Sequence, residues 1–509
     1  MPATADLAAA EFRADLWEEH GWVLWNDAWY SGHTVPGYGL LYPPLGDLIG
    51  PVAIGVVCAL ASTVLFADIA LRTRGERAWL GVVWFGLAAT VALWGSRVTF
   101  AIGLTLGLAA MALLARGRPG WGALAAALAG LASPVAGLFT ALAAAAVFCA
   151  ARLPAVAAPR PALPWRGALA LAAAAAVATL ALGFAFPTDG YEPFSTGKVV
   201  TVVVVALALL ALVPREEAVV RWAAALYLGL VLLEALAQTP LGDNAVRFGY
   251  TFAGPVLAIV LLPRRRWALL VVALPLLYWQ WFATVNDVSL GIRSDSAERE
   301  YHAPLLAELD ERTQSGSPIR IHVPPTRTRW EARYVAEEYP LARGWLRQLE
   351  SDDFEQFHDV ELEPDEYAAW LHDHGVAYVA VSDADYDYMA KAELELINRG
   401  DATVLDEVWS NDHWRLFEVR GATGLADGGA EVTGLHADGF SVRVPGPGTY
   451  LLRLRYTPYF EIDAGEACLE AAGDESTTLT ASGPGPQEIV VSAGLSLGGL
   501  GRRDEVCRD

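Results

Sequence analysis

Ile49-Gly-Pro-Val-Ala-Ile-Gly-Val-Val-Cys-Ala-Leu-Ala-Ser-Thr-Val-Leu-Phe-Ala-Asp-Ile-Ala-Leu71 is a run of 23 residues with a single charge, closed by Arg72, Arg74 and Arg77. A helical bilayer crossing needs about 20 predominantly apolar residues, so this run reads as a transmembrane helix with a basic end. Runs of the same kind recur at 78–95, 98–115, 167–186, 198–213, 222–237, 248–262 and 267–284. The stretch from Gly120 to Ala151 is too long for one crossing and is interrupted at Ser133-Pro134. It reads as two short helices that dip in and return, because irregular backbone is tolerated in a membrane only inside a bundle. The expectation is an all-α polytopic membrane bundle of ten segments over residues 49–284.

Charge separates this region from the rest. Through Thr284 there are 15 acids and 17 bases, a balance of +2; from Val285 onward there are 43 acids and 19 bases, a balance of −24. The second part is water-soluble, and its sign excludes nucleic-acid binding through a basic surface. The apolar first part excludes a soluble enzyme. Alternate loops hold 13 cations, from Arg72 to Arg266, while the loops between them hold only Arg97, Lys198 and Arg247. Cytoplasmic loops retain the excess of positive charge. Residues 1–48 and everything after 284 are therefore expected outside a plasma membrane that the chain crosses many times. Residues 1–19 show no signal peptide or apolar run, so an upstream helix, lost to a late start codon, is expected to precede the first external loop.

The external region divides again. Residues 285–424 alternate strand and helix signals: a strand at Ile319–Val323, a helix at Glu363–His374 opened by Pro364, a strand at Val376–Val381, a helix at Lys391–Arg399 and a strand at Trp414–Val419. This reads as a small α/β domain. Residues 425–509 show short alternating runs, Phe440–Val444 and Tyr450–Tyr456 among them, punctuated by Pro-Gly repeats. They read as an antiparallel β-sandwich. Cys58 and Cys149 fall in apolar spans, whereas Cys468 and Cys507 face an oxidising exterior, where a disulfide between them would stabilise by ~3–4 kcal/mol. No Cys/His cluster has the spacing of a zinc site.

The chemistry-bearing residues cluster ahead of the first apolar run, in Trp25-Asn-Asp-Ala-Trp-Tyr-Ser-Gly-His33 followed by Tyr38. Trp25, Trp29, Tyr30 and Tyr38 offer flat apolar faces with polar tips, which suit a sugar and equally suit an interfacial aromatic belt. Asp27 between two tryptophans is the candidate general base, although a carboxylate there also suits a helix cap. His33 is a candidate substrate contact or a structural hydrogen-bond partner. Arg97, Lys198 and Arg247 run against the orientation rule, so each is a candidate phosphate ligand or a side chain snorkelling to the interface. Asp189 and Glu192, with Asn244, are candidate substrate contacts; the two acids also offer oxygen ligands to a divalent metal, with no metal-specific spacing. Glu234 lies inside a span, where a carboxylate is either a proton-relay element or the partner of an arginine on a neighbouring helix; the structural partner is the favoured reading.

The pattern Trp25 to His33, with Pro36-Gly-Tyr, Tyr42-Pro-Pro-Leu, Ser133-Pro134, Tyr191-Glu-Pro-Phe194, Pro240-Leu-Gly-Asp-Asn244 and Arg247, resembles a family of actinobacterial multi-pass membrane proteins that look like GT-C superfamily glycosyltransferases. The resemblance continues through Arg343-Gly-Trp345, His413-Trp414-Arg415 and Tyr456-Thr-Pro-Tyr459, followed by Cys468. It implies a helical bundle, a polyprenyl-phosphate sugar donor and a first external loop whose acid, here Asp27, acts as base. A cell-wall glycan, a glycolipid or a protein is then the acceptor. Many members carry two acids in that loop, whereas here Asp27 stands alone. Two other readings stand beside this one: a transporter or lipid flippase, and a non-catalytic envelope anchor whose acidic ectodomain binds a partner.

Overall fold

The computed structural model describes residues 1–153, 164–187, 190–313, 316–354, 357, 362–473 and 475–495. The chain divides into two compact units. One comprises residues 1–2, 37–184 and 190–289; the other comprises 3–36, 185–189 and 290–509. The N-terminal segment thus joins the polar C-terminal half of the chain, although some 250 residues of bundle lie between them in sequence.

The chain opens with helix α1 (Ala5–His20) and two short strands, β1 (Trp25–Asn26) and β2 (His33–Thr34), paired antiparallel. Ten helices follow among the described residues: α2 (Tyr42–Arg74), α3 (Trp79–Trp94), α4 (Val98–Ala115), α5 (Pro119–Ala132), α6 (Pro134–Arg152), α7 (Trp165–Ala185), α8 (Thr196–Leu212), α9 (Ala218–Leu236), α10 (Val246–Leu261) and α11 (Arg266–Arg293). Seven stretches are long and apolar enough to cross a membrane, the bent stretch Tyr42–Trp94 counting as one; α5 and α8 are shorter apolar helices. This is compatible with a multi-pass membrane protein.

Three boundaries differ from the sequence expectation. Helix α2 starts at Tyr42 rather than Ile49 and breaks at Gly50, whose φ of +75° is outside the helical region. The cause is Pro51, which lacks an N–H and disfavours helical backbone in the residue before it. The 120–151 stretch does split at Ser133-Pro134, Ser133 being extended with its Oγ accepting from the Ala136 N–H at 3.4 Å. However, α6 has 19 residues, about 28 Å of helix at 1.5 Å per residue. That length suffices for a full crossing, so α6 is not the short dipping helix expected. Finally, α11 continues past 284 to Arg293.

Hydrogen bonds and ion pairs identify the two ends of the bundle. At one end the Leu40 N–H donates to Leu131 O at 2.9 Å, Glu192 N–H to Thr239 O at 3.0 Å, and Lys198 pairs with Asp243. At the other, Asp68 pairs with Arg72 and Arg116 at 2.9 and 2.8 Å, and the buried Glu217 binds Arg74 and Arg264. The expected basic loops joining α2 to α3, α4 to α5, α8 to α9 and α10 to α11 close this second end. Arg160 lies outside the described residues.

The second unit resumes with α12 (Arg299–Thr313), β3 (Arg320–His322), α13 (Glu331–Tyr334), α14 (Arg347–Asp353), α15 (Pro364–Asp373), β4 (Val376–Ser382), α16 (Lys391–Arg399), β5 (Leu405–Ser410) and β6 (Trp414–Val419). The sheet order is β3-β4-β6-β5; β3 and β4 are parallel and the other pairs antiparallel. Its core takes in Phe12, Trp29 and Tyr30 from the N-terminal segment alongside Leu305, Ile321, Val379 and Leu416. Seven strands follow: β7 (Glu431–His436), β8 (Gly439–Val444), β9 (Gly448–Leu452), β10 (Phe460–Ala464), β11 (Ala467–Ala472), β12 (Ser476–Ala481) and β13 (Gln487–Ala493). They form two antiparallel sheets, β10-β13-β8-β7 and β11-β12-β9. Alternate residues are buried, Leu479 and Ala481 in one sheet and Ile489 and Val491 in the other, as two packed sheets require. Cys468 is disulfide-bonded and Cys58 and Cys149 are free thiols. Cys507, its expected partner, lies outside the described residues.

Candidate functional site

Two of the outlying cations of the bundle unit, Arg97 and Arg247, come together at the end without the basic loops. Arg97 occupies the N-cap position of α4, after Ser96, which adopts φ +54°. Its guanidinium donates to Tyr250 Oη and to Asp287 Oδ2, both at 3.4 Å, and its side chain is 14% exposed. Arg247 lies in the first turn of α10 with its guanidinium 5.5 Å from the centre of the Phe100 ring. The contacts are reciprocal. Arg97 touches Tyr250, one turn beyond Arg247, and Arg247 covers Phe100, one turn beyond Arg97. The two guanidiniums thus flank the starts of α4 and α10. Arg247 has no carboxylate in ion-pair range among the described residues.

Lys198, Asn244 and Glu192 gather at the turn that leads into α10. Lys198 is neutralised by Asp243, and Asn244 lies in the same 3-10 turn, Gly242–Ala245, that leads into α10. Glu192 is 9% exposed and packs against that turn. Gly242 sits at φ +42°, where a Cβ would overlap the Glu192 carbonyl. Thr239 Oγ1 donates to the buried Glu234, so this intraspan acid is bound by a hydroxyl of its own loop rather than by the expected cation. Tyr38 ends a 3-10 turn and is half-buried in the bundle unit. Asp189 lies outside the described residues.

Asp27, Trp25, Trp29, Tyr30 and His33 belong to the other unit. A tight chain reversal, with Tyr30, Ser31 and Gly32 all at positive φ, returns the strand so that Asn26 pairs with His33. Trp25 Nε1 donates to Arg455 O at 3.0 Å, and its ring meets Phe460 edge-on at 5.2 Å. Trp29 Nε1 donates to Ala332 O at 2.9 Å, with its ring between Phe12 and His33. Tyr30 Oη donates to Gly344 O at 2.9 Å. All three rings are at most 1% exposed. The faces offered by the sequence reading to a sugar or to lipid headgroups are therefore occupied by packing. Burial drives His33 down to about 3, so its imidazole is neutral.

Asp27 is 7% exposed; burial raises its carboxyl and the nearby Arg320 guanidinium opposes this, leaving it at about 6. Arg320 is fully buried and donates to His374 O at 2.5 Å and Arg453 O at 2.7 Å. His374 Nε2 meets Glu475 at 2.5 Å, and Arg455 reaches the other Glu475 oxygen at 3.3 Å. One polar network thereby ties the N-terminal segment to the α/β sheet and to the β-rich region. Sequence reasoning missed Arg320, His374, Glu475, Tyr250 and Asp287; all are paired over long range, and no local spacing marks them. No protein-family model matches the chain, and no curated protein sequence matches it.

Proposed function

We propose that the chain is an integral membrane glycosyltransferase that transfers one sugar from a polyprenyl-phosphate carrier to an extracytoplasmic cell-envelope acceptor. The observation that carries this reading is the pair Arg97 and Arg247 at the starts of α4 and α10. A phosphate on a lipid carrier needs cations at the edge of an apolar bundle, and guanidinium offers it a bidentate fork. In transfer, the acceptor oxygen attacks the anomeric carbon, the bond to the phosphate oxygen breaks, and the arginines stabilise the charge that collects there. The resemblance assigns the acceptor proton to Asp27. A carboxyl raised to about 6 is ionised at neutral pH and a stronger base than a free aspartate. The basic end of the bundle then faces the cytoplasm and the Arg97 end faces outward.

The enclosure of Asp27 and its aromatic neighbours favours a second reading, a non-catalytic envelope protein in which this segment is purely structural. Transfer of labelled sugar from a polyprenyl-phosphate donor to envelope acceptors, with the protein in proteoliposomes, separates the two. Arg247→Ala is expected to lower the rate about 10²-fold or more. Equal rates for wild type and variant would sink the donor-phosphate assignment, and absence of transfer across several donors would leave the envelope-protein reading.

A further inference from the structure

The C-terminal edge of the parallel pair β3/β4 carries a group of side chains that the proposed transfer does not use. Three loops meet there. Arg327 N–H donates to Asp385 O at 2.8 Å and Asp387 N–H to Pro325 O at 2.9 Å, zipping the loop after β3 to the loop after β4. Asp383 N–H donates to His413 O at 2.9 Å, which adds the β5–β6 turn. Within this edge Asp383 accepts from Tyr301 Oη at 2.6 Å and from His413 Nδ1 at 3.0 Å. An imidazole held through Nδ1 presents Nε2 outward, the orientation used to accept a proton or hydrogen bond from a hydroxyl. The His413 side chain is 45% exposed. Five residues beyond Asp383, Tyr388 is 48% exposed, with the Arg347 guanidinium 5.6 Å from its ring centre.

We infer that this sheet edge is a glycan-binding site, in which His413 Nε2 accepts a hydrogen bond from a sugar hydroxyl and the Tyr388 ring stacks on another sugar of the same chain. An exposed ring beside fixed polar groups suits a ligand with apolar faces and hydroxyl rims. The five residues from Asp383 to Tyr388 can span up to about 17 Å, which leaves room for an oligosaccharide. Asp383 is a positioning residue, holding His413 in one tautomer. The inference rests on the glycosyltransferase reading in one respect only, that the bound glycan is the acceptor.

The test is saturation-transfer NMR and calorimetry on the full chain in nanodiscs, with soluble arabinan, galactan and mannan oligosaccharides as probes and no donor present. One of these is expected to bind. His413→Ala and Tyr388→Ala should each weaken it tenfold or more, whereas Trp22→Ala, an equally exposed ring elsewhere in the unit, should leave it unchanged. All are surface changes, and coincident thermal unfolding curves check that the fold persists. Wild-type affinity in both site variants, or no binding of any probe by the wild type, overturns the inference. Binding that depends on His413 and Tyr388 in a protein without transfer activity supports the site while removing the enzyme reading. Transfer that is intact in both variants, with affinity unaltered, does the reverse.

Discussion

Glu350 has no exposure and lies between two guanidiniums, 2.8 Å from Arg329 and 3.5 Å from Arg343. Burial alone would raise its carboxyl; the arginines overrule it and hold it at about 2. Its contribution is therefore complete above the ordinary glutamate range and is lost as pH falls from about 4.5 toward 2. Glu350→Gln takes the closest carboxylate from the buried Arg329, which keeps only Asp387 at 3.7 Å, and should cost about 3–5 kcal/mol, read as a lower unfolding midpoint in denaturant. Asp27 has the opposite sign. Its carboxyl is raised in the fold from 3.8 to about 6, so its contribution is present at low pH and disappears as pH rises through that interval. Relative to Asp27→Asn, the wild type should lose unfolding temperature between pH 4 and 6 and run parallel above it. Stability of the wild type that rises relative to the variant between pH 4 and 6 would contradict the burial argument. The same variant should abolish sugar transfer if Asp27 is the base; unchanged transfer would turn the search to Glu192, the other buried acid among the candidates. The side chains of the first segment were legible as a cluster because they are close in sequence. Their environment was not, because Arg320 is nearly 300 residues away.

At the level of elements, apolar length and proline placement were readable and carried most of the assignment. Each of the ten apolar segments expected corresponds to a helix, since a helix satisfies the backbone groups of an apolar run within the segment itself. Ser133-Pro134 marked a true break for a local steric reason. Helix ends were less legible: α2 begins seven residues before its apolar run and α11 extends nine beyond its expected end, because polar turns can continue a helix that apolar turns have nucleated. The turn before α10 provides a direct test. Gly242→Ala places a Cβ on the Glu192 carbonyl at a backbone angle alanine avoids, and should cost at least about 2 kcal/mol. Thermal unfolding in detergent measures it, and a variant as stable as wild type would show that the turn relaxes freely.

For the molecule as a whole, the main consequence is that residues 3–36 belong with residues 290–509. Trp29 forms a bridge to Leu341, Trp25 bonds Arg455, and Phe12 and Tyr30 sit in the α/β core. Deleting residues 3–36 should leave residues 290–509 without a cooperative transition, and hydrogen exchange should show lost protection at Ile321 and Leu341. Retained protection would mean that the segment is a passive cover. The division into an apolar and an acidic polymer, the number of helical segments and the placement of the basic loops at one end follow from composition and periodicity. These properties are summed over neighbouring residues and need no knowledge of distant partners. The union of the first 36 residues with the last 220, the burial of the aromatic loop and the pairing of Arg97 with Tyr250 follow from contacts between residues far apart in sequence. No local pattern encodes such contacts, because a side chain's burial and charge environment are properties of the packed chain around it.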